Sequence, residues 1–168
     1  MSKVYNIKKG KHISGKHLSL HCGRFHEFKN VIFSEQCWYS YLNDDSYDIN
    51  KLFGFSHGYH HHNSIRFGWV PNFQKKNYIE IWSYIYNKGT RSFDKICEVE
   101  TKKSYRYQIF LKNDGEIIFL VKDLQNNILI GNSSEKYNKP NIDIGYNLFP
   151  YFGGNNSSPC DMEILFSN

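Results

Sequence analysis

Arg66, Glu80, Trp82, Tyr84 and Tyr86 are residue types that proteins combine to hold sugars. Aromatic rings stack on the apolar faces of pyranoses, while a guanidinium fork grips carboxylates or hydroxyls. Their spacing gathers them on one surface. In residues 64–70, Ile65, Phe67 and Trp69 alternate with Ser64, Arg66 and Gly68; in residues 78–86, Ile79, Ile81, Ser83 and Ile85 alternate with Tyr78, Glu80, Trp82, Tyr84 and Tyr86. Paired across residues 71–77 in a register centred on Gln74, the runs set Gly68 opposite Glu80, Arg66 opposite Trp82 and Ser64 opposite Tyr84. All of these lie away from the aliphatic face. The aromatic side is then either an open platform for a ligand or core covered by a second layer or a loop.

A second concentration of chemistry runs from Ser56 through His57-Gly58-Tyr59-His60-His61-His62-Asn63. Imidazoles this dense suit Zn, Ni or Cu, yet consecutive residues on an extended chain point alternately, so only His60 and His62 share a face. No Asp-x-His companion is present to complete a shell. The expectation is therefore no metal and no cofactor, but a polar loop in which His60, His62 and Asn63 meet ligand hydroxyls or backbone groups. His12, His17, His21 and His26 read as surface residues. Asp44, Asp45, Asp48 and Asn50 offer oxygen ligands for calcium but lack the glycine and closing glutamate of the helical loop motif, which leaves a solvated loop. Residues 153–156, Gly-Gly-Asn-Asn, form a turn with no helix behind it to cradle phosphate, and no Gly-x-Ser-x-Gly elbow marks a hydrolase.

The elements that must position these groups are strands. The 168 residues contain no alanine, the strongest helix former, against 13 Tyr and 13 Phe. Hydrophobic residues at 40% exclude intrinsic disorder, and the length suits one domain spanning residues 1–168. Asp114-Gly115 between alternating runs at 105–111 and 116–123 marks a hairpin, with a further turn at Asn126-Asn127. Residues 17–22 read as a strand with Leu18, Leu20 and Cys22 inward; residues 141–146 read as another strand, and 161–166 as a closing strand near the first with Met162, Ile164 and Phe166 inward. Many short strands with no βαβ rhythm specify an all-β antiparallel sandwich of jelly-roll type. Cys22, Cys37, Cys97 and Cys160 are scattered and read as reduced core thiols.

A net charge of +5, with lysines spread in twos, argues against nucleic acid and for an acidic partner. No apolar stretch approaches the roughly 20 residues of a membrane span, and the first ten residues lack the apolar run of a signal peptide, so a cytoplasmic or virion-associated protein is expected.

Around the hairpin, Lys51-Leu-Phe-Gly54, His57-Gly58, Asn63-Ser-Ile-Arg66-Phe-Gly-Trp69 and Tyr84-Ile-Tyr86 resemble the Lys-Leu-x-Gly, Ser-x-Arg-x-x-Trp and Tyr-x-Tyr series of the jelly-roll alginate and glucuronan lyases, whose fold is a concanavalin-like β-sandwich. Phe149-Pro-Tyr-Phe-Gly-Gly154 and Ser158-Pro-Cys-Asp161 are similar to that family's late loop before its closing strands. The resemblance implies that Lys51 and Arg66 neutralise a uronate carboxylate while Tyr84 or Tyr86 exchanges protons during β-elimination. Cations beside the tyrosine are what such chemistry requires, because the developing enolate needs electrostatic stabilisation and a phenol titrating near 10 needs help to act as base. The chain departs from the pattern at Phe53, where the family has proline, and is short for the loops that wall a lyase cleft.

Three readings follow. The first is a non-catalytic module binding an acidic or neutral glycan on Arg66, Glu80, Trp82, Tyr84 and Tyr86, with Lys51, His60, His62 and Asn63 at its edge. The second is the lyase, with Lys51, Arg66, Tyr84 and Tyr86 catalytic. The third is a virion or surface-assembly protein, a capsid decoration or fibre component, whose exposed aromatics pack on further copies or another subunit.

Overall fold

Alternation becomes strand from end to end in the computed structural model, which describes residues 2–15, 17–23, 25–40, 48–141 and 143–167. Asp44 and Asp45, weighed above for calcium, lie outside these residues. The strands are β1 (Ser2–Ile7), β2 (Leu20–Cys22), β3 (His26–Phe33), β4 (Asn50–Ser56), β5 (Asn63–Pro71), β6 (Tyr78–Asn87), β7 (Thr90–Ser92), β8 (Lys95–Glu100), β9 (Tyr105–Leu111), β10 (Glu116–Asp123), β11 (Ile128–Lys136), β12 (Ile144–Leu148) and β13 (Met162–Ser167), with one 3-10 turn at Glu35–Cys37. They form two antiparallel sheets. One runs β1-β13-β3-β9-β10-β11; the other runs β2-β12-β4-β5-β6-β7, with β8 also on β6. The first strand pairs with the last, and Asp114-Gly115 turns β9 into β10 with Gly115 at φ 81°.

The inner faces pack aromatic on aromatic. Phe67 of β5 meets Phe119 of β10 at 5.0 Å and Tyr107 of β9 at 5.2 Å between ring centres, and Phe53 of β4 meets Phe166 of β13 at 5.6 Å. Met162, Ile164 and Phe166 are buried, as their alternation requires. Phe53 reaches this core through a bulge. Lys51 pairs with Gly68 and Gly54 with Arg66, so Leu52 and Phe53 together oppose Phe67 and both are buried. The ring at the family's proline position is thus a core residue here, and the bulge leaves Lys51 on the outer face.

Three expectations are corrected. The β5–β6 ladder is displaced by two residues: Arg66 stands opposite Tyr84, Gly68 opposite Trp82 and Ser64 opposite Tyr86. Asn72 shifts the loop, because its side-chain oxygen accepts from the backbone N–H groups of Gln74 and Lys75 at 3.0 Å and its own N–H reaches Tyr78 O at 2.8 Å, so pairing begins at Pro71 and Ile79. A two-residue displacement conserves the faces. Second, the short strand β2 turns its aliphatic parity outward. Leu18 and Leu20 are 81% and 68% exposed and Cys22 is exposed, whereas His17 sits in a ring cluster with Tyr5 and Phe149 and His21 packs edge-on to Phe55. Third, of the four cysteines, all free, only Cys37 is fully buried. No helix among the described residues is long and apolar enough to cross a membrane.

Candidate functional site

The outer face of the β2-to-β7 sheet is crossed by a groove rather than sealed by another layer. Its main cavity, about 700 Å³, collects side chains from neighbouring strands: Lys51 from β4, Arg66 from β5, Tyr84 and Tyr86 from β6, Arg91 from β7 and Tyr146 from β12. His60 and His61 close one end, and the segment 149–155 forms a wall. That wall is zipped to β4. Lys51 and Tyr151 exchange backbone hydrogen bonds of 2.8 and 2.9 Å, and the Lys51 ammonium donates to Gly153 O at 3.0 Å. The volume falls in the range of pockets that enclose small ligands.

Arg66 is the least conventional group in the groove. It is only 7% exposed, its Nη2 donates to Ser64 Oγ at 3.3 Å, and its buried Nε has no hydrogen-bond partner among the described residues. Beneath it the Tyr84 ring centre lies 5.5 Å from the guanidinium carbon, and the Lys51 ammonium sits 5.1 Å from the same ring. The Tyr84 ring meets Tyr86 edge-on at 5.9 Å, and Arg91 lines the same cavity. No Asp or Glu is among the described residues lining this cavity. A buried charge is costly unless paired, so the Arg66 guanidinium, with Lys51 and Arg91 beside it and Asp48 acting on those two from the adjoining cavity, leaves a net positive field for an anion.

Titration follows from this crowding. Burial first, then Arg66 and Arg91, bring the Lys51 ammonium down to about 8 against a partial pull from Asp48. Burial lowers the Arg66 guanidinium to about 10, so it stays charged at neutral pH. His60 falls to about 4 through burial and then the nearby Arg66 and His61, and is a neutral imidazole. Burial raises the Tyr84 phenol, with the nearby Arg91 opposing.

The histidine segment is a tight turn, not the extended chain expected. The N–H groups of His62 and Asn63 both bond to Tyr59 O, at 2.9 and 3.0 Å, so His60 and His61 face the groove. His60 Nδ1 and the Tyr146 hydroxyl are hydrogen-bonded, and the His61 ring meets Tyr86 edge-on at 5.5 Å. His62 and Asn63 line neither cavity of the groove; Asn63 is buried and accepts from Lys88 N at 3.2 Å, which ties it to the β6–β7 turn. Among the described residues, no group of three or more His, Cys, Asp or Glu is placed to hold a metal.

Beyond Lys51 the groove continues into a second cavity of about 470 Å³, lined by Trp82, Glu80, Phe93, Asp48, Ile49 and Val70 and sharing Lys51, Tyr84 and Arg91 with the first. Lys51, His60, Arg66, Tyr84 and Tyr86 therefore converge in one chamber, and Glu80 and Trp82 in the next. Sequence reasoning missed His61, Arg91 and Tyr146. Arg91 was within reach: Lys88 and Gly89, both at positive φ, make a two-residue hairpin turn that sets Arg91 opposite Tyr86, and Gly89 after a strong strand is its signal.

This fold and groove define a β-sandwich with a basic, aromatic cleft across one sheet. No protein-family model matches the chain, and no curated protein matches it. Among solved structures, the chain is similar to the alginate lyase vAL-1 from Chlorella virus, with a TM-score of 0.57 at 14% identity over 98% of this chain and 81% of that one. It is more remotely similar to the CBM2 module of the Lactobacillus casei BL23 phage J-1 evolved Dit, at TM-score 0.46, 15% identity and 98% and 65% coverage. Scytalido-glutamic peptidase gives TM-score 0.45 at 12% identity with 99% and 74% coverage. At these identities the first likeness establishes the shared β-sandwich fold.

Proposed function

We propose that the protein binds an acidic glycan in the groove, with a uronate-type carboxylate received by Arg66 and Lys51 and sugar rings lying against Tyr86 and Trp82. The observation that carries this reading is the buried Arg66 guanidinium, which among the described residues has no hydrogen-bond partner at Nε and no carboxylate in its cavity. A charge-assisted bond to a ligand carboxylate contributes about 1.5–3 kcal/mol, and a groove that is already shaped spends little of that on ordering. The alginate lyase fold supports a saccharide as the guest. Isothermal titration with uronate oligosaccharides should show binding to the wild-type protein and a weakening of about 0.5–1.5 kcal/mol in Trp82→Ala, the contribution of one aromatic contact. Absence of heat with every acidic and neutral glycan removes the reading.

A second reading, β-elimination, draws on the convergence of Lys51, Arg66, Tyr84 and Tyr86 in one chamber. There Arg66 and Lys51 would neutralise the carboxylate and a tyrosine would exchange the proton beside it. The direction of the Tyr84 shift favours binding over cleavage, since burial holds this phenol protonated and a bound carboxylate would offset the cations that ease its ionisation. Release of an unsaturated uronate, followed by its ultraviolet absorbance and abolished in Lys51→Ala, decides for the enzyme; a pure protein that binds the chain and yields no such product decides against it.

A further inference from the structure

The two chambers of the groove differ in charge, and the difference names the class of saccharide. The larger is lined by Lys51, Arg66 and Arg91 and, among the described residues, by no carboxylate. The smaller shares Lys51 and Arg91 but adds two carboxylates, Asp48 and the Lys95-paired Glu80, which make it less positive than the first, and much of its remaining wall is apolar: Trp82, Phe93, Val70 and Ile49. The Glu80 carboxylate is anchored by Lys95 at 2.7 Å, which fixes it at the wall. Trp82 is half-buried with Phe93 edge-on at 6.2 Å, and Phe93 stacks in turn on Tyr84 with ring centres 6.4 Å apart at 18°. A chain of ring contacts, Trp82 to Phe93 to Tyr84, thus links the smaller chamber to the basic one, past the Lys51, Tyr84 and Arg91 side chains that belong to both.

We infer that the groove selects an acidic polysaccharide in which charged and uncharged sugar residues alternate, a uronate occupying the Lys51, Arg66 and Arg91 chamber and its uncharged neighbour lying on Trp82 and Phe93 beside Asp48 and Glu80. This rests on the glycan-binding reading and goes beyond it. A chain with a carboxylate on every residue would set one of them beside Asp48 and the Lys95-paired Glu80, where like charge offsets the pull of Lys51 and Arg91 and the carboxylate gains less than in the first chamber. An uncharged residue meets no such repulsion, and its apolar face gains the aromatic contact.

The test compares three oligosaccharides of equal length by titration calorimetry at one salt concentration: a homopolymeric uronate, a chain alternating glucuronate with N-acetylglucosamine, and an uncharged glucan. The alternating chain should bind roughly tenfold or more tightly than the homopolymer, and Glu80→Gln should narrow that ratio by improving homopolymer binding. Equal or tighter binding of the homopolymer, an unchanged ratio in a folded Glu80→Gln, or an uncharged glucan bound as well as the alternating chain overturns this inference and leaves glycan binding standing. Failure of all three chains to bind overturns both. Should Glu80→Gln not fold, the wild-type ratio alone decides.

Discussion

Arg66 and Tyr84 face each other across the β5–β6 ladder, with the guanidinium carbon 5.5 Å from the ring centre, and the same ring carries Lys51 at 5.1 Å. One aromatic ring thus carries two cations. Each such contact returns only about 0.5–2 kcal/mol, less than a carboxylate partner would give. The protein keeps charge in its groove at a cost to its own stability, which is the usual signature of a site built for something else to enter.

Replacing that charge should separate stability from binding. Arg66→Met keeps an unbranched side chain of similar reach and removes a buried cation that, among the described residues, is hydrogen-bonded only to Ser64. Thermal unfolding should show a melting temperature equal to or above wild type, since well-packed apolar replacements of buried charges are neutral or stabilising. Affinity for a uronate oligosaccharide should fall by at least about tenfold. A variant that melts lower yet binds normally would assign Arg66 a structural role instead.

Lys51 gives the groove a pH signature. Its folded value of about 8 lies below the ordinary 10.5 of lysine, so below pH 8 both folded and unfolded chains carry the proton and the full cost of burying the charge is present. Between those values the unfolded chain binds more protons, and stability rises with pH. Lys51→Met should therefore be more stable than wild type at neutral pH, with the gap in melting temperature closing as pH climbs from about 8 towards 10.5. Binding runs the other way: affinity for an acidic glycan should fall above pH 8 as the ammonium is lost, with proton uptake visible in buffers of different ionisation enthalpy. Because His60 lies near 4, no step is expected from it around pH 6.5.

Gly54 sets the spacing that places Arg66. A Cβ there would lie 2.1 Å from Ile65 O and 2.5 Å from Arg66 Cα, both backbone atoms that cannot swing away. Gly54→Ala should push β4 from β5 and destabilise the protein by about 1–3 kcal/mol, as overpacking does, while lowering glycan affinity through the displaced guanidinium. Chemical denaturation and calorimetry read the two effects; loss of neither would mean that the ladder adjusts freely at the bulge.

Phe53 tests the bulge from the core side. Its ring is 2% exposed against Phe67 and Phe166, so Phe53→Ala should cost about 3–5 kcal/mol in denaturant unfolding. The folded fraction should still bind, because the side chain points away from the groove.

The sequence by itself determined the architecture and the parity of the central strands. Period-two alternation in residues 64–70 and 78–86 separates Ile65, Phe67 and Trp69 from Arg66, and Ile79, Ile81 and Ile85 from Tyr84, whatever the register, since a displacement by two residues leaves each side chain on its own face. The Asp114-Gly115 hairpin is equally local, because only a residue tolerating positive φ closes it. Tertiary structure decided the rest. The aliphatic parity of residues 17–22 faces solvent because, among the described residues, β2 is a sheet edge that pairs only with β12, and what it buries is set by Phe55 beneath it rather than by its own pattern. Likewise the union of Lys51, Arg66, Arg91 and Tyr146 spans β4, β5, β7 and β12, so the groove exists only once strand order brings together residues as far apart in the chain as 51 and 146. Local periodicity fixes which way a side chain points; long-range strand pairing alone fixes what it points at.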